Sequence, residues 1–221
     1  MSDGGSHVLF SIPAGGFYGV ESRWSSYSVL EFSPNHTYFA ISDARYSPFA
    51  SSMRIFSVAD RKQLLVTAEG PGGAWVADDR FVWTSSAGLL QWTPQGGVAA
   101  FRPEKYWFGV SSSPDGQWLA GTRLPDTANP HVQIVPVGGG AALNTGLGSG
   151  PGFVSPTVVW YIGEKVCNYV TDNCGYDPTI QDGTVHAYDV LTKTDRLVVF
   201  RAGEKPEVDG DFYWSCCATR A

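Results

Sequence analysis

Charged and tyrosine side chains suited to ligand contact occur in three segments of the chain, 43–52, 123–130 and 163–183. Each segment separates two apolar runs with alternating polarity, so each is predicted to be a loop held between two strands. Loops on a rigid scaffold are where binding usually lies. We expect contact with a protein or a peptide, with a carbohydrate as the alternative ligand. The candidate binding residues are Arg45, Tyr46, Arg123, Asp126, Tyr169, Asp172, Tyr176, Asp177 and Asp182.

The third segment is the longest, and it also contains Cys167 and Cys174. A loop-closing disulfide between these two cysteines implies an oxidising compartment, and two free thiols are the alternative. Three aspartates in the segment offer the oxygen ligands that calcium prefers, but their spacing lacks the alternate-position pattern of an EF-hand loop. No metal site is therefore predicted. A braced surface excursion without a ligand is the competing interpretation of this segment.

Motifs for cofactor and nucleophile chemistry are missing from the sequence. There is no Gly-x-Ser-x-Gly elbow, no CxxC pair and no Cys/His cluster of the kind that binds zinc. The glycine-rich stretch 138–152 lacks the Gly-Lys-Ser/Thr ending of a phosphate-binding loop, and we assign it to a linker between repeats. The sequence thus predicts no cofactor.

The composition sets the class of fold that must position these residues. The 221 residues include 43% hydrophobic and only 16% charged residues, with 26 glycines and 14 prolines. Short strands joined by many turns suit this mixture better than helices, which need charged outer faces. A chain of this length can bury one undivided core. We therefore expect an all-β protein in which residues 1–221 form a single domain.

Charge and hydropathy exclude two classes of partner. The formal net charge is −6, and the 15 Lys and Arg residues are scattered, so nucleic acid is not expected. No apolar run approaches the ~20 residues that a membrane-spanning helix needs. The polar start, residues 1–6, is unlike a signal peptide, so export implies a leader outside this sequence. The candidate disulfide favours an extracytoplasmic location (periplasmic, cell-surface or secreted), and a cytoplasmic location stays open.

A repeat runs through most of the chain. Segments 32–42 and 112–122 each place a Ser-Pro-(Asn/Asp) turn before an aromatic-led apolar strand, and two looser copies follow the same frame. Positions taken as equivalent are Tyr38, Phe81, Trp118 and Val158. Their separations of 43, 37 and 40 residues match the period of a four-stranded blade.

The stretch Ser-Pro-Asp-Gly-Gln-Trp-Leu-Ala at 113–120 resembles the TolB-like, WD-repeat-like β-propeller repeats of bacterial envelope and secreted proteins. The predicted fold is a β-propeller of about five four-stranded antiparallel blades. One blade is expected to be split between residues 7–22 and 209–221, and a fragment of a larger propeller is the alternative. Recurring tryptophans are assigned to packing between blades rather than to sugar stacking, namely Trp75, Trp83, Trp118, Trp160 and Trp214.

These patterns favour a non-enzymatic binding or scaffold module that engages a protein or peptide through one loop-rich face. A glycosidase is the first alternative, and it needs two carboxylates about 5–10 Å apart near the central channel. Its candidate carboxylates are Asp78, Asp79, Asp115, Asp209 and Asp211. The propeller segment of a peptidase is the second alternative. The sequence leaves open the oligomeric state and the chemical state of Cys216 and Cys217.

Overall fold

The computed structural model describes residues 27–44, 51–67, 72–105, 107–124, 130–164 and 181–198. All fifteen regular elements in these ranges are β-strands, and none is a helix able to cross a membrane. The first sheet contains β1 (Tyr27–Phe32), β2 (Tyr38–Ala44), β3 (Ser51–Ser57) and β4 (Lys62–Thr67). The second contains β5 (Gly73–Ala77), β6 (Arg80–Ser85), β7 (Gly88–Thr93) and β8 (Gly97–Arg102). Both are antiparallel, with their strands in chain order.

The other strands are β9 (Trp107–Ser112), β10 (Trp118–Arg123), β11 (His131–Pro136), β12 (Leu143–Phe153), β13 (Val158–Glu164), β14 (Gln181–Asp189) and β15 (Thr194–Leu197). They form one seven-stranded sheet in which β12 is shared. The first half of β12 pairs with β11 as far as Leu147, and its second half pairs with β13 from Gly148 onward. The described residues therefore form four four-stranded blades, numbered 1 to 4, and the predicted antiparallel blade is confirmed.

The glycine-rich stretch 138–152 joins blades 3 and 4, but from Leu143 it does so as a strand and not as a loop linker. Gly148 marks the passage from one blade to the next. A Cβ atom there would overlap the ring of Tyr161 and would lie 2.6 Å from the carbonyl oxygen of Ile162. The chain crosses between the blades at this point because glycine leaves room for the ring.

The repeat alignment holds for three blades and shifts by one position in blade 2. Tyr38, Trp118 and Val158 each begin the second strand of their blade, but Arg80 rather than Phe81 begins β6. The reason is the turn before β6, which contains only two residues between Ala77 and Arg80. The repeat alignment assumes that this turn is as long as the Ser-Pro turns of blades 1 and 3.

Three apolar clusters lie between successive blades and hold them together. Met53 and Ile55 of blade 1 pack with Trp75, Phe81 and Trp83 of blade 2. Val82 and Leu89 on the other face of blade 2 pack with Leu119 and Val135 of blade 3, and blades 3 and 4 meet in the same way around Ile134 and Tyr161. Burial of Trp75 (4% exposed) and Trp83 (0%) agrees with the packing role expected from the sequence.

The Ser-Pro turns are built alike in blades 1 and 3. The hydroxyl oxygen of Ser113 accepts a hydrogen bond from the backbone N–H of Trp118, and Ser33 does the same for Tyr38. Gly116 adopts a left-handed φ of 68°, and a Cβ atom there would overlap the carbonyl oxygen of Val76 in blade 2. Glycine is needed at this position because the turn of blade 3 lies directly on the backbone of blade 2.

First strands of successive blades contact one another, so β1, β5, β9 and the second half of β12 are the innermost strands of the assembly. The fourth strands are the outermost. The predicted split blade at 7–22 and 209–221, the candidate disulfide Cys167–Cys174, and the cysteines at 216 and 217 all lie outside the described residues.

Candidate functional site

Three long connections join second strands to third strands, in blades 1, 3 and 4. They span 45–50, 124–130 and 165–180, whereas blade 2 makes the same connection with only two residues between Ser85 and Gly88. Because equivalent strands run in equivalent directions, all four connections leave the same face of the blades. We call this the loop face.

Most candidate binding residues lie in those connections, beyond the described residues: Arg45, Tyr46, Asp126, Tyr169, Asp172, Tyr176 and Asp177. Two lie at strand ends. Arg123 is the last residue of β10, and its Nε donates a hydrogen bond of 3.3 Å to the carbonyl oxygen of Lys105. Asp182 is the second residue of β14. The structure thus places Arg123 and Asp182 at the edges of two different loop-face connections.

The opposite face consists of turns whose polar groups bond to one another. Asp78 in blade 2 accepts hydrogen bonds from the Ser33 hydroxyl (2.7 Å) and the Asn35 backbone N–H (2.9 Å) of blade 1. Partial burial acts to raise the pKa of Asp78, but hydrogen bonds from Thr37, Ser33 and Asn35 together hold it below its ordinary value. Asp78 is therefore a clasp between two blades.

Asp115 and Asp189 serve as turn caps on the same face. Asp115 accepts a hydrogen bond of 2.6 Å from the Ser113 hydroxyl, and this bond lowers the pKa of Asp115. Asp189 accepts from the backbone N–H groups of Leu191 and Thr192, chiefly Thr192, and its pKa is also lowered. Two of the carboxylates considered for a glycosidase, Asp78 and Asp115, thus stabilise turns. Asp79 is exposed in a turn, and Asp209 and Asp211 lie outside the described residues.

Glu31 is the one acidic residue on the parts of the innermost strands that the structure describes. Burial raises the pKa of Glu31 from 4.5 to about 7, although a hydrogen bond from the Trp75 backbone N–H opposes the shift. The Trp75 indole Nε1 in turn donates to the Glu31 carbonyl oxygen at 3.1 Å. Sequence reasoning missed Glu31 because it reads as an ordinary polar residue in an alternating strand; its burial comes from the neighbouring blade.

A second cluster missed from the sequence crosses the outer part of blade 4. Asp195 Oδ2 accepts a hydrogen bond from the Tyr161 hydroxyl at 2.8 Å and lies 2.9 Å from His186 Nδ1. An ionised carboxylate only accepts, so a neutral His186 carries its proton on Nδ1. Its Nε2 then accepts from the Thr184 hydroxyl, 3.1 Å away.

This cluster joins three strands, β13, β14 and β15, through one carboxylate. Tyr161 is 1% exposed and stacks on His186 with ring centroids 5.1 Å apart. Burial, reinforced by the bond to Asp195, raises the pKa of Tyr161 to about 12, so its hydroxyl stays protonated and keeps donating. Hydroxyl, imidazole and carboxylate groups joined by hydrogen bonds also occur in sites of nucleophilic catalysis. Here the bond from Tyr161 to Asp195 and the position of these residues on three strands indicate a structural cross-link.

The described residues contain no group of three or more His, Cys, Asp or Glu side chains that could hold a metal ion. A cavity of about 300 Å³ on blade 4 is lined by Val158, Ala187, Asp189, Thr194 and Arg196. Its lining holds the turn cap Asp189 and no second carboxylate.

No protein-family model matches this chain, and no curated protein matches its sequence. Solved structures do match. TolB from Acinetobacter baumannii has a TM-score of 0.54 at 12% identity, covering 81% of this chain and 45% of TolB. A puromycin-hydrolyzing peptidase from Mycobacterium tuberculosis has a TM-score of 0.56 at 13% identity, covering 81% and 30%. The WD40 domain of Toxoplasma gondii coronin has a TM-score of 0.51 at 12% identity, covering 77% and 44%.

The chain has the β-propeller fold. The TolB-like and WD-repeat-like resemblance of the sequence is confirmed at the level of fold by TolB and the coronin domain. The chain spans less than half the length of each of these three proteins. Identities of 12–13% carry the fold and no activity.

Proposed function

We propose that this propeller is a non-enzymatic recognition module that binds a protein or a peptide through its loop face. The observation that carries the proposal is the difference between its two faces. Among the described blades, the loop-face connections 124–130 and 165–180 are longer than every turn of the opposite face, where hydrogen bonds within the turns hold them, as at Ser33, Ser113 and Asp189. Variable loops on a rigid scaffold suit recognition.

The nine candidate residues named from the sequence are the proposed contacts. Arg123 and Asp182 flank two of the long connections at their strand ends. Packing of the blades supports such a site, because Met53, Ile55, Val82, Leu119 and Ile134 are fully buried between them and fix the strands that hold the loops.

The proposal is tested by exchanging one loop and comparing what the protein retains. Residues 166–179 are replaced with a short Gly-Ser linker, and bound proteins are identified by cross-linking and mass spectrometry. The control variant carries Gln95→Ala and Leu191→Ser in exposed turns of the opposite face. Partners kept by the control and lost by the loop variant support the loop face. Partners kept by the loop variant and lost by the control refute it.

We also propose an extracytoplasmic location, supported by the candidate disulfide between Cys167 and Cys174. Alkylation without a reductant, followed by mass measurement of peptides from the native protein, decides the state of these two residues. A linked Cys167–Cys174 peptide supports the proposal, and two alkylated thiols contradict it.

A glycosidase is the second candidate, and Glu31 is the observation in its favour. A carboxyl group with a pKa of about 7 suits a general acid near neutral pH. The mechanism needs a second carboxylate, and none lies on the described parts of the innermost strands. Hydrolysis of nitrophenyl glycosides that is abolished by Glu31→Gln would establish this candidate over the recognition module. The propeller segment of a peptidase is the other alternative. It would have the same fold, and the catalytic residues would lie outside this chain.

A further inference from the structure

The outer strand of blade 2, β8, presents an uncharged edge at the rim of the propeller. It pairs with β7 on one side, and no described strand pairs with its other side. Residues Gly97 to Ala100 are exposed, with Val98 45% exposed, and no charged residue occurs before Arg102. The outer strand β15 carries Asp195 and Arg196, whereas β4, like β8, has one charged residue, Lys62, at its end. Charged residues on edge strands discourage pairing with another chain.

Two guanidinium groups lie beside this edge, over one aromatic ring. The guanidinium carbons of Arg80 and Arg102 are 5.3 Å and 5.9 Å from the centroid of the Phe101 ring. Arg80 Nε donates to Gln91 Oε1 at 2.7 Å, and Gln91 pairs across β7 and β8 with Ala99. Both guanidinium groups therefore lie over the Phe101 end of β8, next to its exposed residues Gly97 to Ala100.

Neither Arg80 nor Arg102 forms an ion pair with a carboxylate among the described residues. The ion pair present in those residues joins His186 and Asp195. Arg102 donates one bond, from Nη2 to the carbonyl oxygen of Pro136 at 3.3 Å. A guanidinium group has five N–H donors in a planar fork that matches a carboxylate. Donors therefore remain available on both side chains, in a protein whose overall charge is −6.

We propose that the free edge of β8 binds an extended acidic peptide, which adds to blade 2 as a fifth strand with a carboxylate against Arg80 and Arg102. Main-chain hydrogen bonds give affinity in this mode of recognition, and side chains at alternate positions give specificity. Charge decides between occupants. A second copy of β8 would bring another Arg102 and no carboxylate, whereas a peptide with glutamate at alternate positions supplies the missing counter-charge.

The test measures fluorescence polarisation of a labelled, acetylated and amidated Thr-Val-Glu-Val-Glu-Thr peptide titrated with the protein. We expect binding that weakens about fivefold in Arg80→Gln and in Arg102→Gln, and similarly when both glutamates of the peptide become glutamine. Arg196→Gln is the matched control, an arginine on another outer strand, and should bind as the parent does. Equal binding of the glutamate and glutamine peptides, or no binding at all, overturns the proposal.

The strand geometry is tested separately from the charge. Val98→Pro and Ala99→Pro each remove one N–H, and since successive N–H groups point alternately toward and away from β7, one variant spares the β7 ladder. That variant should keep the melting temperature of the parent and lose peptide binding. Retained peptide binding would refute the proposal that the peptide adds as a strand. If both proline variants unfold, the peptide binding of the arginine variants decides the proposal. A dimer disrupted by the same proline variant, with no peptide binding, would identify a second copy as the occupant instead. The loop-face variant with 166–179 replaced should bind this peptide normally, which separates this site from the proposed function.

Discussion

Glu31 provides the sharpest test of how the inner strands of blades 1 and 2 are packed. Its pKa is raised from 4.5 to about 7, so the folded protein holds this proton more tightly than the unfolded chain does. The parent should therefore lose stability as pH rises from about 4.5 to about 7, and the loss should be complete above that range. The shift corresponds to a cost of about 3 kcal/mol at most, and partial exposure of the carboxyl group reduces it.

The variant Glu31→Gln isolates this effect because glutamine keeps an acceptor oxygen for the Trp75 N–H and carries no charge. Its free energy of unfolding should be close to that of the parent at pH 5 and about 1–3 kcal/mol higher at pH 8. Urea unfolding at both pH values measures the difference. Asp79→Asn, an exposed turn residue, is the control and should show no such gain. An equal effect of Glu31→Gln at both pH values, or a parent that gains stability between them, would refute the packing argument.

Three further predictions follow from other contacts. Asp78→Asn should lower the free energy of unfolding by about 1 kcal/mol at neutral pH, because it weakens the hydrogen bonds from Ser33 and Asn35. The difference from the parent in urea unfolding should vanish as pH falls through the lowered pKa of Asp78, and a difference independent of pH would contradict this prediction. Gly148→Ala should cost about 2 kcal/mol, because its Cβ overlaps the Tyr161 ring, while Gly138→Ala, which meets open space, should melt like the parent; equal melting temperatures would show that blade 4 has room. Asp195→Asn should lower the pKa of Tyr161 from about 12 while burial still keeps it above 10, as ultraviolet titration would show, and an unchanged midpoint would place the whole shift in burial.

Much of the fold could be predicted from local patterns. Tyr38, Trp118 and Val158 begin equivalent strands, as the repeat indicates, since the Ser-Pro turns and alternating runs are local signals. The one-position shift of the repeat at Arg80 could not be predicted, because a two-residue turn and a longer turn both fit between the same apolar runs. β12 escaped because its glycines read as a linker, and the need for Gly148 becomes clear only against the Tyr161 ring.

The candidate site was harder to predict, because its geometry depends on contacts between distant residues. Asp78 bonds to Ser33 of another blade, so its clasp has no sequence signature. The pairing of Tyr188 with Asp195 in the hairpin of β14 and β15 brings Asp195 to His186, and this depends on a register that the turn does not specify by itself. Arg123 and Asp182, which the sequence places inside loops 123–130 and 163–183, lie within β10 and β14, because strand ends are set by pairing and not by composition.

The central claim is that recognition lies on the loop face of this propeller. Hydrogen–deuterium exchange of the protein, alone and with a partner captured in a loop-dependent way, tests it most directly. We expect slowed exchange in peptides covering 44–51, 123–131 and 164–181, with the opposite turns unchanged. Slowed exchange confined to the turns at 33–37, 113–117 and 189–193 would contradict it.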